Sequence, residues 1–422
     1  SHKRYTEPMF APPPVAPHTR KLLLIILGVG LFVHSASAVG VYALRPESIS
    51  TTPDPLDYRL AALNLLDHGT FSFAPPEYDA PQLLRTPGYP FLLAGTYLLD
   101  GRTGLVMILL QSFLLVCMGW LLFQLLLAFR IPEKISLILL AIYLLEPLQW
   151  LYTLHTMTET VASFLILLLV TGALVGSGIR TLPRAALYGV GLGLLILVKP
   201  SAMMWLPFLL ALVLVAEGRW HMRLVRGVVA ALMLLATLTP WMIRNYGLPG
   251  YPVVSSSGTY TAVEFLAVGR EEPSWFRTPI LTAEYNGHTN EVWYAYTTHA
   301  YPKLVAAKEE LLPTFDYSSF ITRQVAHAPT VWFGFLDRTE QEAYGHEYGL
   351  IASFVLGPDP AREIYLLTFD VVAWSLALLL FLLGAYRLLF DPARRWLFLP
   401  LLGMLLAAIF INLGAAWVRV LL

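Results

Sequence analysis

Long apolar blocks, divided by short polar stretches rich in arginine, proline and glycine, run through this chain from end to end. Several blocks approach the ~20 residues that a helix needs to cross a ~30 Å hydrocarbon core. None shows the two-residue alternation of a barrel strand. Backbone groups in lipid must bond within their own segment, so such blocks predict helices. Nine spans are expected, at residues 22–44, 105–129, 135–152, 160–178, 185–198, 201–216, 227–243, 365–388 and 397–418. Lys199-Pro200 divides the fifth from the sixth, because proline disfavours helical geometry in the residue before it.

The expected fold is therefore all-α: a polytopic transmembrane helical bundle with interfacial outer-loop helices and a small helical outer cap. Residues 1–21 are expected to form a proline-rich cytoplasmic tail, 22–243 a transmembrane module with a first outer loop at 45–104, 244–364 the cap, and 365–422 the C-terminal spans. Arg20-Lys21, the apolar run and Ala36-Ser37-Ala38 resemble a signal peptide. The run continues to Leu44, however, and the expectation is an uncleaved anchor.

Composition sharpens this picture. The chain is 57% hydrophobic and 13% charged, against roughly 25% charged in ordinary globular proteins. Its net charge of zero becomes informative only when divided by face. With the N-terminus inside, the inner segments hold Lys3, Arg4, Arg20, Lys21, Arg130, Lys134, Arg180, Arg184, Arg219, Arg223, Arg226, Arg387, Arg394 and Arg395. Only Glu7, Glu133, Glu217 and Asp391 among the 28 acids fall there. That is the positive-inside pattern. The single Cys117 lies in an apolar run and cannot form an internal disulfide. No repeat and no nucleic-acid signature is present.

Polar residues that carry chemistry gather at the outer span ends. Asp54 and Asp57 open an expected amphipathic helix that carries Tyr58, Leu60, Leu63 and Asn64. Three residues apart, the two acids share a face, although N-capping explains their presence equally well. Arg85-Thr86-Pro87-Gly88-Tyr89-Pro90 forms a rigid turn at the membrane edge, presenting Arg85 and Tyr89. Glu159 opens the fourth span, Lys199 follows the fifth, and Arg244 ends the seventh. Two cations and a carboxylate near hydrocarbon suit a charged lipid head group, although each alone could snorkel to water. Asp337, Glu340, Glu342, His346 and Glu347 lack tight metal-ligand spacing and read as a solvated acidic face.

In order, these pieces resemble the C-type membrane glycosyltransferases, close to the polyprenyl- and dolichyl-phosphate-sugar dependent enzymes such as protein mannosyltransferases and the lipid A aminoarabinose transferase. The resemblance runs to about Gly258. It rests on the acidic first-loop helix ending Asn64-Leu65-Leu66-Asp67-His68-Gly69, on the Arg85–Pro90 turn, Thr158-Glu159 and Val198-Lys199-Pro200, and on Pro240-Trp241-Met242-Ile243-Arg244-Asn245-Tyr246.

The resemblance implies that residues 22–243 are a catalytic module with Asp54, four before Tyr58, as general base. It gives Asp57 and Glu159 supporting catalytic roles, Arg85, Lys199 and Arg244 contact with the donor phosphate, and Tyr58 and Tyr89 contact with substrate. It implies inverting transfer from a polyprenyl-phosphate sugar to a glycan, lipid or protein acceptor. The setting is the periplasmic face of a multi-pass protein in a membrane, the bacterial inner membrane being expected. Where some relatives place an acid before the phosphate-binding cation, this chain has Leu84, so use of a divalent cation is left open. Many relatives also continue into further spans. Two other readings share the features: a ligase or polymerase of lipid-linked glycans, and a transporter or flippase for lipid-linked sugars. The last calls for mid-membrane polar residues and matching halves.

Overall fold

The computed structural model describes residues 12–44, 46, 53–145, 153–175, 178–214, 219–267, 273–285 and 288–315. The chain divides into two compact units. One comprises residues 1–257 and 277–301, the other 258–276 and 302–422.

The first unit is built on helices. These are α1 (Pro17–Leu44), α2 (Pro53–His68), α3 (Gly88–Asp100), α4 (Leu105–Ala128), α5 (Glu133–Leu145), α6 (Thr158–Leu174), α7 (Leu182–Val198), α8 (Leu206–Leu214) and α9 (Trp220–Tyr246). Three of them, α1, α4 and α9, are long and apolar enough to cross a membrane. Large apolar side chains on two of them, Leu24, Phe32, Val228 and Leu232, face outward, as does Leu187 of α7. Such exposure suits lipid better than water.

Nine spans are not supported. Helices α6 and α7 hold 17 residues each and α5 only 13, short of the ~20 that a perpendicular crossing requires. Backbone punctuation sets these limits. At Lys199 the chain turns extended ahead of Pro200, and a 3₁₀ turn, Pro200–Trp205, leads into the nine residues of α8. The eighth and ninth expected spans and the acidic group at 337–347 lie outside the described residues.

Two kinds of contact hold the helices together. Leu23 of α1, Leu115, Met118 and Phe123 of α4, and Leu140 and Leu144 of α5 form one apolar cluster. His34 of α1 joins it by bonding the Leu144 carbonyl at 2.8 Å. Helices α7 and α9 instead approach backbone to backbone. A Cβ on Gly189 would stand 2.1 Å from the Ala230 carbonyl, and one on Gly193 2.5 Å from Thr237. Small residues allow this closeness where lipid supplies no hydrophobic drive.

Helix α2 corrects an expectation. Leu56 to Leu63 are buried all round, including Asp57, Tyr58 and Arg59, so its middle does not lie half in water as an amphipathic interfacial helix would. Small Ala61 and Ala62 let neighbours close in, and Asn64 draws the following loop over the helix through the carbonyls of Ser72 and Ala74, at 2.8 and 2.9 Å.

The segment expected as a helical cap is not wholly helical either. Pro279–Tyr285 (β1) and His288–Trp293 (β2) pair antiparallel, with Tyr285 opposite His288. A helix expected across 290–312 begins only at Tyr301, as α11 (Tyr301–Leu311), after two 3₁₀ turns. Asn286-Gly287, a dipeptide favoured in two-residue hairpin loops, is the sequence signal for this pairing. In the second unit, which also holds most of α10 (Ser257–Leu266), Tyr260 stacks on Phe276 at 4.9 Å.

Candidate functional site

The turn after residue 80 is tied on every side before its side chains do any chemistry. Gln82 folds back on it, its Oε1 accepting from the Arg85 N–H at 2.8 Å. The Leu83 N–H donates to the Tyr296 carbonyl at 2.9 Å, and the Ser255 hydroxyl to the Leu84 carbonyl at 2.6 Å. Gly88 then presses on the end of α7, where a Cβ would meet the Leu197 carbonyl at 2.6 Å. Only glycine fits there, and the contact brings the turn beside Lys199.

On this support Arg85 points at α2. Its Nη2 donates to Asp54 and, at 2.9 Å, to Asp57 Oδ2, which also accepts from Nε at 3.3 Å. Asn290 of β2 donates to the other Asp57 oxygen at 3.1 Å. The two carboxylates differ in setting: the Asp54 side chain is 43% exposed, that of Asp57 only 6%. The guanidinium also lies 5.0 Å from the ring centre of Tyr58, whose edge packs on Tyr89. One cation is thus gripped by two acids from the first two turns of α2.

Electrostatics follow from that burial. Loss of water pushes the Asp57 carboxyl up to about 6, against the downward pull of Arg85 and of the Arg85 and Asn290 hydrogen bonds. Asp54 adds a further upward push. Burial works against the charge on Arg85 too, yet the carboxylates of Asp54 and Asp57 outweigh it and hold the guanidinium firmly protonated. The Tyr58 phenol is pushed well above its ordinary value, mainly by burial, and stays neutral.

A second charged pair stands across Tyr58. Lys199 Nζ donates to Glu159 Oε1 at 2.7 Å, both side chains about one-third exposed. Tyr58 reaches it through a hydrogen bond with Thr158 and feels the Glu159 charge. Asp54, Asp57, Tyr58, Arg85, Glu159 and Lys199 therefore form one neighbourhood drawn from α2, the turn, α6 and the end of α7.

Two expected site residues take other places. Tyr89 is fully buried, and its hydroxyl donates to Gln111 at 2.8 Å. Gln111 in turn donates to the carbonyls of Thr153 and His155 at 3.0 and 2.7 Å. Tyr89 thus braces the wall that positions α6. Arg244 donates to the carbonyls of Gln82 at 3.0 Å and Phe71 at 3.3 Å, and lies 4.7 Å from the Trp241 ring centre. Its neighbours act alike: the Trp241 indole donates to the Val254 carbonyl at 2.8 Å and Asn245 to that of Val253 at 2.7 Å. The Pro-Trp-Met-Ile-Arg-Asn segment is a clamp on loop backbone.

Gln82, Gln111 and Asn290 were not singled out from sequence, and Thr158 was named only beside Glu159, without a role. Gln111, one of two amides inside the apolar run of α4 with Gln124, is the one with a legible signal, since a buried amide needs partners. Among the described residues no group of three or more His, Cys, Asp or Glu is placed to hold a metal. No family model, curated protein or solved structure matches this chain, so the functional reading stands on these side chains.

Proposed function

We propose that the protein is a multi-pass membrane glycosyltransferase that moves a sugar from a polyprenyl-phosphate donor to an acceptor hydroxyl on the periplasmic face of a bacterial inner membrane. In this reading the acceptor oxygen bonds the anomeric carbon from the side opposite the phosphate, and the carbon–phosphate oxygen bond breaks with inversion. Asp54, the exposed carboxylate of the pair, takes the hydroxyl proton. The departing phosphate keeps the bonding electrons and needs positive charge more than a proton, which Arg85 and Lys199 supply. Asp57 and Asn290 hold Arg85 in place. Tyr58 forms the floor between the two pairs, and Glu159 orients Lys199. The acceptor is a glycan, a lipid or a protein.

The observation that carries this reading is the meeting of an exposed and a buried carboxylate on one guanidinium, with a second cation across the tyrosine. The test uses purified protein, a polyprenyl phosphate carrying one radiolabelled sugar, and a panel of glycan, lipid and peptide acceptors. The expected result is label on an acceptor with release of polyprenyl phosphate. Translocation of intact donor across a vesicle without bond cleavage would replace this reading by the transporter one.

A further inference from the structure

Strand β2 turns one polar side chain toward the ion pair. Side chains alternate between the two faces of a strand, so Asn290 and Val292 share one face while Thr289 and Glu291 share the other. Register places Ala283 opposite Asn290 and Leu281 opposite Val292. Ala283 and Val292 are buried, whereas Thr289 and Glu291 are exposed. Asn290 is thus a half-buried amide on the covered face of the hairpin. An amide in such a place needs partners, and one of its N–H groups donates to Asp57 Oδ1 at 3.1 Å. A carboxylate only accepts, so this bond fixes which end of the amide is nitrogen. Among the described residues it is the only hydrogen bond of that side chain, which leaves the amide oxygen and one N–H to spare. The other oxygen of Asp57 holds Arg85. One carboxylate therefore separates Asn290 from the guanidinium, a gap that a single sugar ring can bridge.

We propose that Asn290 selects the donor sugar, its amide oxygen and remaining N–H binding a ring hydroxyl while Asp57 holds the amide in place. The inference rests on the proposed transferase reading and names a selecting residue within it. A hydroxyl both donates and accepts, so it suits a group that offers one of each. In the donor the sugar is bonded directly to the phosphate. A guanidinium on the phosphate and an amide beside it then meet one molecule at two points. Asp57 serves both, with one oxygen for each. A ring lacking the hydroxyl that faces Asn290 leaves the amide unpaired on a covered face, and that difference is the selection.

The test uses the full chain in nanodiscs with three kinds of probe. These are polyprenyl phosphates carrying single hexoses or aminosugars, the singly deoxygenated analogues of whichever binds best, and bare polyprenyl phosphate. Affinities are measured for wild type, Asn290→Ala and Val292→Ala, the last a change on the same covered face. In wild type one deoxygenated analogue should bind about two- to tenfold more weakly than its parent, as loss of one neutral hydrogen bond implies. Asn290→Ala should bind that analogue and its parent alike, and Val292→Ala should keep the wild-type ratio. Any loosening of Arg85 weakens all donors together and cancels in the ratio, so a merely structural Asn290 would leave the ratio unchanged. If Asn290→Ala does not fold, Asn290→Ser takes its place, too short to reach both Asp57 and a sugar. A folded Asn290 variant that keeps the wild-type ratio overturns the proposal and leaves the transferase reading standing. Wild type that binds every analogue as tightly as its parent does the same, as does loss of the ratio in Val292→Ala, which would assign selection to packing of the hairpin. Wild type that binds neither glycosylated nor bare polyprenyl phosphate removes the transferase reading itself, and the selection with it.

Discussion

Arg85 and Arg244 look alike in the sequence: each is a lone arginine near proline and an aromatic residue at the end of an apolar block. In the fold they belong to different chemistries. Arg85 is held by carboxylates, a charged neighbourhood that another anion can enter. Arg244 is held by the carbonyls of Phe71 and Gln82 and by ring faces, all neutral and all part of the frame. Surrounding motif does not separate the two roles; partner type does. An arginine on carbonyls fixes where a loop runs, and an arginine on carboxylates fixes where charge can be exchanged. Arg244 acts through Gln82, whose side chain in turn holds the backbone of Arg85.

The largest expected effect lies on the carboxylate side. Asp54→Asn should lower single-turnover transfer at saturating donor by about 10²–10⁴-fold, the usual contribution of a general base, with the donor still bound. A variant that keeps near-normal rates would move the base elsewhere. Next comes the arginine pair itself. Arg85→Ala should weaken polyprenyl-phosphate binding about 10- to 100-fold, as loss of a charge-assisted contact does. Arg244→Ala should leave that affinity within about twofold once folded protein is selected, and should lower thermal stability by about 1–3 kcal/mol through unsatisfied carbonyls. Matched losses of affinity in both variants, with stability unchanged, would erase the distinction.

Gly88→Ala sits between the two regions. Its Cβ would collide with the Leu197 carbonyl, and overpacking of this kind costs about 1–3 kcal/mol. It should lower the unfolding temperature and, by shifting the turn off α7, weaken donor binding less than Arg85→Ala does. Unchanged unfolding and binding would show that the turn does not bear on the helix end.

The smallest effect is in the pH profile. The buried Asp57 carboxyl titrates near 6 in the fold, against an ordinary 3.8. Its neutral form is the better accommodated one, so its contribution to stability is full below pH 3.8 and is lost as pH rises through about 6. Activity runs the other way, because Arg85 needs a charged Asp57 to hold it. Transfer should fall on the acid side with a midpoint near pH 6. The Asn290 hydrogen bond favours the charged form, so Asn290→Ala should move that midpoint upward by a few tenths of a unit. A downward shift would mean that Asn290 does not support the carboxylate.

Much of the membrane character was legible because length and apolarity are local properties. The runs that became α1, α4 and α9 announced themselves in their own residues. Shorter helices did not, since a block of apolar sequence does not say where its hydrogen bonding stops. The pairing of Asp54 and Asp57 on one helix face was readable from their spacing, and so was the rigid turn carrying Arg85. Their meeting was not, because 28 and 31 residues separate the partners and only the folded loop closes that gap. Lys199 and Glu159, 40 apart, are the same case. Helix α2 misled because leucines at helical spacing look the same whether one side or every side is covered. The hairpin had a signal in Asn286-Gly287, hidden by the expectation of a helix across the following residues.

The contact of Gly88 with Leu197 has a consequence for how this site can change. Main chain touches main chain there, with no side chain between to lengthen, shorten or swing aside. The anchor points of Arg85 and Lys199 are thus set apart by peptide geometry alone, like the jaws of a fixed-gap gauge. Substitutions at the rim can alter which sugar or acceptor is favoured. Widening the jaws would require the turn to leave the helix end first, and most of the ties on that turn would have to move with it.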